Sequence, residues 1–333
     1  MNEQISKKLR IAGLVCTVMV LYRHSLNYLA FFGNWEGEGV SRIVENISSI
    51  LTEVAVPFFF VVSGFFFLRK DCDSVNSYCS MVKNKFRTLM LPFVIWNLVG
   101  MLVMGIVAFD QVCDKTFGEH LRTFLFSEWY GPLWYVRDLI TIMLLVPLYG
   151  WIFKMRNYIP FIIIGALLFL YWKPVDCSWI SSEGLFFFFV GGLLSERDSL
   201  LEVKMGVLPT AVLVVTWLSL TGVIYWFSNM YVEKLCILSG MMSVWFVLDR
   251  CPMRMSTLLF RYSSFAFFLY VTHFYVEKVL KNGVASFFYG NDIAATITYL
   301  LVPIVTILLV VPAGVLWKRI SPKSYSIVVG GRS

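Results

Sequence analysis

The sequence predicts an all-α, polytopic integral membrane protein with about ten transmembrane helices and both termini cytoplasmic. Three observations carry that prediction: the composition, the lengths of the apolar runs, and the uneven distribution of basic residues. Of 333 residues 58% are hydrophobic and 15% charged, against roughly 45–50% and about 25% in soluble domains. The mean hydropathy is +0.73, and the 30 Phe and 11 Trp exceed what one soluble core can hide. This excludes a soluble enzyme, a disordered protein and a nucleic-acid-binding domain. A net charge of +7 then has basic cytoplasmic loops as its first explanation.

A bilayer core about 30 Å thick needs roughly 20 apolar residues per helix. Runs of that kind place the spans at 9–31, 47–68, 86–109, 133–153, 158–172, 179–194, 205–228, 231–249, 256–278 and 294–317. The first follows Lys7, Lys8 and Arg10, as in a signal n-region, but no small-residue cleavage site comes after it, so it reads as an internal anchor. The third is entered through the basic stretch Lys83-Asn-Lys-Phe-Arg87. The fifth and sixth are short, and almost nothing separates the seventh from the eighth, which leaves that pair open to a different division.

With the N-terminus inside, nineteen Lys and Arg fall on the inner side and seven on the outer, the latter including Lys234, Lys278 and Lys281. Arg23 and Arg137 lie within spans. The split puts both termini in the cytoplasm. The seven cysteines show neither a CxxC pair nor a metal-ligand spacing, so no metal is expected. Cys113 and Cys177 share the outer side, where a disulfide can form. Residues 1–333 read as one transmembrane domain, because the longest loop, 110–132, is too short to build a core of its own.

Ionisable residues inside spans are costly and usually functional. At 1.5 Å per residue His24 lies about 22 Å from the inner start of its span. Glu53, the pair Arg137 and Asp138, Glu183 and His273 come to about the same outer level. A polar cavity opening toward the outer leaflet is the simplest account. Arg23 reads instead as a residue snorkelling to the interface, and His120 as a solvated loop residue. His24 and His273 have the alternative of bridging helices structurally. On the inner side Lys85 and Arg87 stand at a helix start, where they either hold phosphates or anchor the span.

No GxSxG elbow, HExxH, Walker loop or GxGxxG is present, so hydrolase, zincin, NTPase and dinucleotide readings lack support. What remains is histidine as a neutral-pH base, carboxylates to orient it and arginines to stabilise an oxyanion. That set suits acyl transfer to a hydroxyl. It equally suits proton-coupled transport, such as a flippase for a lipid-linked glycan.

Several segments resemble the acyltransferase-3 family of bacterial integral membrane acyltransferases. Val56-Pro-Phe-Phe-Phe-Val-Val-Ser-Gly-Phe65 is similar to its second-span signature, and Arg87-Thr-Leu-Met-Leu-Pro92 to the entry of its third span. Gly131-Pro-Leu-Trp-Tyr-Val-Arg-Asp138 resembles its Pro-Leu-Trp-Phe-Leu-Arg-Asp segment. Phe186–Gly192 resembles its Phe-rich, Gly-Gly span, and Ser263–His273 its late Tyr and His pattern. The segments run in the family's order over nearly the whole chain. One departure stands out: the family carries an Arg eleven positions before its catalytic His, and here that position is Gly13. Arg10, fourteen before His24, falls on the same helix face; Arg23 and Lys8 are its rivals.

The resemblance implies transfer of an acetyl or related acyl group from cytoplasmic acyl-CoA to a hydroxyl of a surface polysaccharide or lipid-linked glycan. The bilayer, that acceptor and polysaccharide-assembly proteins are the implied partners. In this expectation His24 is the general base, or carries the acyl group itself, with Glu53 or Asp138 orienting it. Arg137 and Trp134 shape the acceptor side, Ser63, Tyr270 and His273 contact substrate, and Arg10, Lys85 and Arg87 hold donor phosphates.

Overall fold

The computed structural model describes residues 3–34, 39–68, 80, 83–144, 159–174 and 179–331. Every regular element among them is helical, and no strand occurs. Among the described residues five helical stretches are long and apolar enough to cross a membrane: Val40–Phe67, Lys83–Val107, Val207–Phe227, Met230–Leu248 and Asp292–Ile320. The end of the expected fourth span and Cys177, with it the expected Cys113 disulfide, lie outside the described residues. The chain forms two compact units, Met1–Phe59 with Arg197–Leu316 and Phe60–Glu196 with Trp317–Ser333.

The first unit opens with α1 (Glu3–His24). The sequence reading carried this helix on to residue 31; it stops at His24. Ser25–Asn27 are non-helical, and a short α2 (Tyr28–Phe32) follows. A break inside protein leaves helix-end carbonyls and amides to be satisfied by side chains, and here Glu45 of the next long helix and Lys281 of a later one do so. Next comes α3 (Val40–Thr52), whose first amides, from Val40 and Ser41, donate to the Asp292 carboxylate at 2.8 and 3.1 Å. Gly39 precedes it because a Cβ there would run into that carboxylate. A turn at Glu53 and Val54 separates α3 from α4 (Ala55–Leu68).

Later in the chain, α11 (Val207–Phe227) and α12 (Met230–Leu248) pack as a hairpin. Ser228 turns left-handed and the Asn229 side chain caps α12 through the amides of Tyr231 and Val232. That settles the division left open by the sequence: two helices, joined by two residues. The expected span 256–278 is also redrawn. It consists of a surface helix, α13 (Met253–Tyr262), with no buried residue, a turn at Ser263–Phe265, and α14 (Ala266–Phe287). Lys278 and Lys281, counted as outer-loop residues, therefore belong to a helix. Lys234, counted with them, is 8% exposed within α12. The long α15 (Asp292–Ile320) closes the unit, and Gly314 lets the Phe268 ring pack directly against it.

In the second unit a π-helical turn, Phe86–Met90, leads into α5 (Leu91–Val107). Pro92 comes just after the π-helical turn, and with no N–H it donates nothing back into that turn. Loop 110–132 holds short helices α6 (Phe109–Cys113) and α7 (Phe117–Leu125) and buries Trp129 and Tyr130. Then come α8 (Trp134–Leu144), α9 (Ile159–Trp172) and α10 (Ser182–Glu196). Gly64 lies against the Phe188 carbonyl, and Gly191 against that of Val61. These glycines let the backbones of α4 and α10 meet, as small residues do between membrane helices. The C-terminal α16 (Pro322–Val328) docks on α5, where Trp96 Nε1 donates to the Val328 carbonyl at 3.0 Å.

Candidate active site

His24 is the last residue of α1, so its imidazole projects where the helix gives out. The His273 ring of α14 stands 5.3 Å away between centroids, and Phe274 meets His24 edge-on at 5.7 Å. His273 is fully buried, and its Nδ1 lies 2.7 Å from the Tyr270 carbonyl. A carbonyl only accepts, so Nδ1 carries the proton and Nε2 presents a lone pair. That Nε2 has no hydrogen-bond partner among the described residues. Tyr270, expected at the substrate, supplies the carbonyl that fixes this tautomer.

Arg23 does not reach out to an interface. Its guanidinium bonds to Ser49 and pairs with Glu53 at 3.3 Å, tying the end of α1 to the turn after α3. Beside it Tyr299 donates to Ser48 at 2.6 Å. Lys281 reaches the same region from α14, donating to the carbonyls of His24 and Leu26 at 3.0 and 2.8 Å. Glu45 receives the amides of Asn27 and Tyr28 at 3.0 and 3.1 Å.

At the other end of α1 is a cavity of about 460 Å³ whose lining includes Lys7, Lys8, Lys204, Glu202 and Asp249. Lys8 bonds to Asp249 at 2.6 Å and lies 3.8 Å above the Trp245 ring. Arg10 is exposed, above Phe260, and does not line the cavity. A Cβ at Gly13 meets nothing within 4 Å.

The second unit gathers the remaining expected residues. Arg137 grips its own neighbour: Nε and a terminal nitrogen both donate to one Asp138 oxygen, at 3.0 and 2.7 Å. The second Asp138 oxygen accepts the Ser181 amide at 3.0 Å, which ties α8 to the start of α10. Asp138 is 1% exposed; its described partners lie in its own unit. Trp134 is exposed at the start of α8. Ser63 shares a hydrogen bond with Tyr135 at 2.9 Å. Lys85 lies 3.8 Å above the Phe67 ring, while Arg87 is exposed in the π-helical turn.

A model of the acyltransferase domain matches residues 13–317, from the middle of α1 to the end of α15. The chain belongs to the acyltransferase-3 family. A curated relative is the succinoglycan biosynthesis protein ExoH of Rhizobium meliloti (strain 1021), 21% identical over 361 aligned positions that cover all of this chain and 94% of ExoH. No solved structure matches the chain. The acyltransferase-3 segments identified in the sequence thus fall on α4, the π-helical turn, α8, α10 and α14. The three polar residues around the end of α1 that sequence reasoning missed are Glu45, Glu277 and Lys281. One signal was available: Glu277 and Lys281 follow His273 at spacings of four and eight, on one helix face.

Proposed function

We propose that this protein is an O-acyltransferase that moves an acetyl or related acyl group from cytoplasmic acyl-CoA to a hydroxyl of a surface polysaccharide or lipid-linked glycan. It works from a bacterial inner membrane, with ten spans and both termini cytoplasmic. The observation that carries the reading is that one helix, α1, has the His24–His273 pair at one end and a lysine-lined cavity at the other. From Ile11 in the cavity wall to His24 is about 20 Å along the helix axis. That is a length suited to a donor whose anionic nucleotide end and reactive thioester are separated by an extended arm. The glycan acceptor is suggested by the relative's part in succinoglycan biosynthesis.

In this mechanism Lys7 and Lys204 meet the donor phosphates at the inner end. His24 takes the proton from the acceptor hydroxyl as its oxygen bonds to the thioester carbonyl carbon. The C–S bond then breaks, and the departing thiolate takes up a proton to leave as free coenzyme A. Arg87, exposed at the start of its helix, is a rival phosphate contact, and variants at the two places tell them apart. Trp134 and Arg137 are assigned to the acceptor, with polysaccharide-assembly proteins as neighbours.

The test is transfer of radiolabelled acetyl from acetyl-CoA into the glycolipid or polysaccharide fraction of expressing membranes, with His24→Ala compared at matched expression. Label that transfers with wild type and not with the variant supports the reading. No transfer from acetyl, propionyl or succinyl donors in the presence of native acceptor overturns it, and proton-driven transport without release of coenzyme A becomes the better account.

A further inference from the structure

We propose that Lys281, which donates to the carbonyls of His24 and Leu26, is a positioning residue that fixes His24 at the broken end of α1. The inference rests on His24 being the base of the reaction above, and it concerns how that base is held.

Inside an apolar bundle a helix that simply stops leaves its final carbonyls without partners, at a cost that most membrane helices avoid by ending at the interface. Here α1 stops at His24, and backbone groups of the break are met by side chains from two other helices. Lys281 of α14 donates to the carbonyls of His24 and Leu26. Glu45 of α3 accepts the amides of Asn27 and Tyr28. The Asn27 side chain donates to the Ala295 carbonyl of α15 at 3.0 Å. The conformation after His24 is therefore specified by tertiary contacts, since nothing local imposes it: Asn27 and Ser25 allow a break but do not require one.

The charges around Lys281 are arranged to keep it there. Glu45 is 2% exposed and Glu277 fully buried, and these are the two carboxylates that act on the Lys281 ammonium. The Glu277 oxygens accept no hydrogen bond among the described residues, which leaves the ammonium one turn along the helix as its compensation. Two buried carboxylates and a half-buried ammonium held together are expensive and are kept where they define a single arrangement. His273, Glu277 and Lys281 share one face of α14. One helix thus supplies both the ring beside His24 and the ammonium that ends His24's own helix, which fixes the two imidazoles relative to each other.

The experiment uses the purified full-length chain and two readouts. One is steady-state transfer; the other is the rate at which diethyl pyrocarbonate modifies His24, followed by peptide mass spectrometry with His120 as internal reference. Lys281→Met is expected to lower kcat about 10- to 100-fold, the scale of a misplaced catalytic group, with donor KM unchanged. It should also alter the His24 modification rate while that of His120 stays constant. Lys281→Arg, which keeps charge and donors, should recover both readouts in part. A Lys281→Met protein that accumulates normally and keeps wild-type kcat and His24 reactivity overturns the proposal. If Lys281→Met does not accumulate, Glu45→Gln and Glu277→Gln preserve volume and remove only a compensating charge; the same two readouts decide, and unchanged values overturn it. If wild type transfers no acyl group, the enzymatic reading fails, and His24 reactivity alone still tests whether Lys281 sets the position of that ring.

Discussion

His24 and His273 face each other across α1 and α14 with ring planes 46° apart and centroids 5.3 Å apart. The pairing is asymmetric. His273 is locked by its bond to the Tyr270 carbonyl and is fully buried, whereas His24 is half-buried at a helix end. In the proposed reaction the less buried His24 is the ring that meets the substrate hydroxyl, with the buried His273 behind it. Groups that act as a unit lose function together. His24→Ala is expected to lower transfer by about 10²–10⁴-fold, and His273→Phe by less. The double variant should be no slower than His24→Ala alone. Transfer rates of the three variants at matched expression check this, and multiplicative losses would show that the two rings work separately.

The helices and the family motifs were legible in the sequence because apolar run length and a few Gly, Pro and Trp positions are local signals. The break after His24 was not. Nothing in Arg23-His-Ser-Leu-Asn27 forbids a helix; the groups that meet the break are Glu45 and Lys281, the latter more than 250 residues away. For the same cause Lys281 read as a loop residue: at the edge of an apolar run it looks like a charge marking the membrane boundary. Arg23 failed in the opposite direction, since a snorkelling arginine and one paired to Glu53 have the same sequence. Asp138 and Arg137 were singled out as polar residues of an expected span. That they grip each other and the Ser181 amide depends on where α10 begins, which periodicity does not tell.

If the cavity at the inner end of α1 receives the donor phosphates, Lys204 is the residue to change. Lys8 is bound to Asp249, so replacing it also leaves a carboxylate without its cation. Lys204→Glu is expected to raise the KM for acyl-CoA about 10- to 100-fold, the worth of one charge-assisted hydrogen bond with its sign reversed, at unchanged kcat. Arg87→Ala in the same assay should leave the donor KM where it is. A KM that responds to Arg87 and not to Lys204 would move the phosphate site to the π-helical turn.

Gly191 marks a close backbone approach of α10 to α4, where a Cβ would run into the Val61 carbonyl. Backbone has no rotamer by which to yield. Gly191→Leu should destabilise the second unit by about 1–3 kcal/mol or more, as overpacking does, seen as a lower Tm in detergent and poorer recovery. Gly105→Ala is the control, since a Cβ there meets nothing within 4 Å; it should be neutral or slightly stabilising. Equal effects of the two would mean that α4 and α10 are not in backbone contact.

The loop helix α7 carries a pH dependence whose sign follows from its cap. Thr116 donates its amide and its hydroxyl to one Glu119 oxygen, both at 2.7 Å, and the Glu119 amide returns to the Thr116 hydroxyl at 3.4 Å. These hydrogen bonds, the hydroxyl's first, hold the Glu119 carboxyl below its ordinary value of 4.5. A carboxyl depressed in the folded state stabilises fully above its unfolded pKa, and the contribution fades as pH falls through the lower, folded value. The cap should therefore be constant from neutral pH down to about 5 and weaken below about 4. Amide exchange across 117–125, corrected for intrinsic rates, should show protection lost over that acid range in wild type. Glu119→Gln, whose amide oxygen still accepts a bond but does not titrate, should remove the pH dependence and leave a weaker cap throughout. Protection that falls equally in both proteins would place the acid sensitivity elsewhere in the loop.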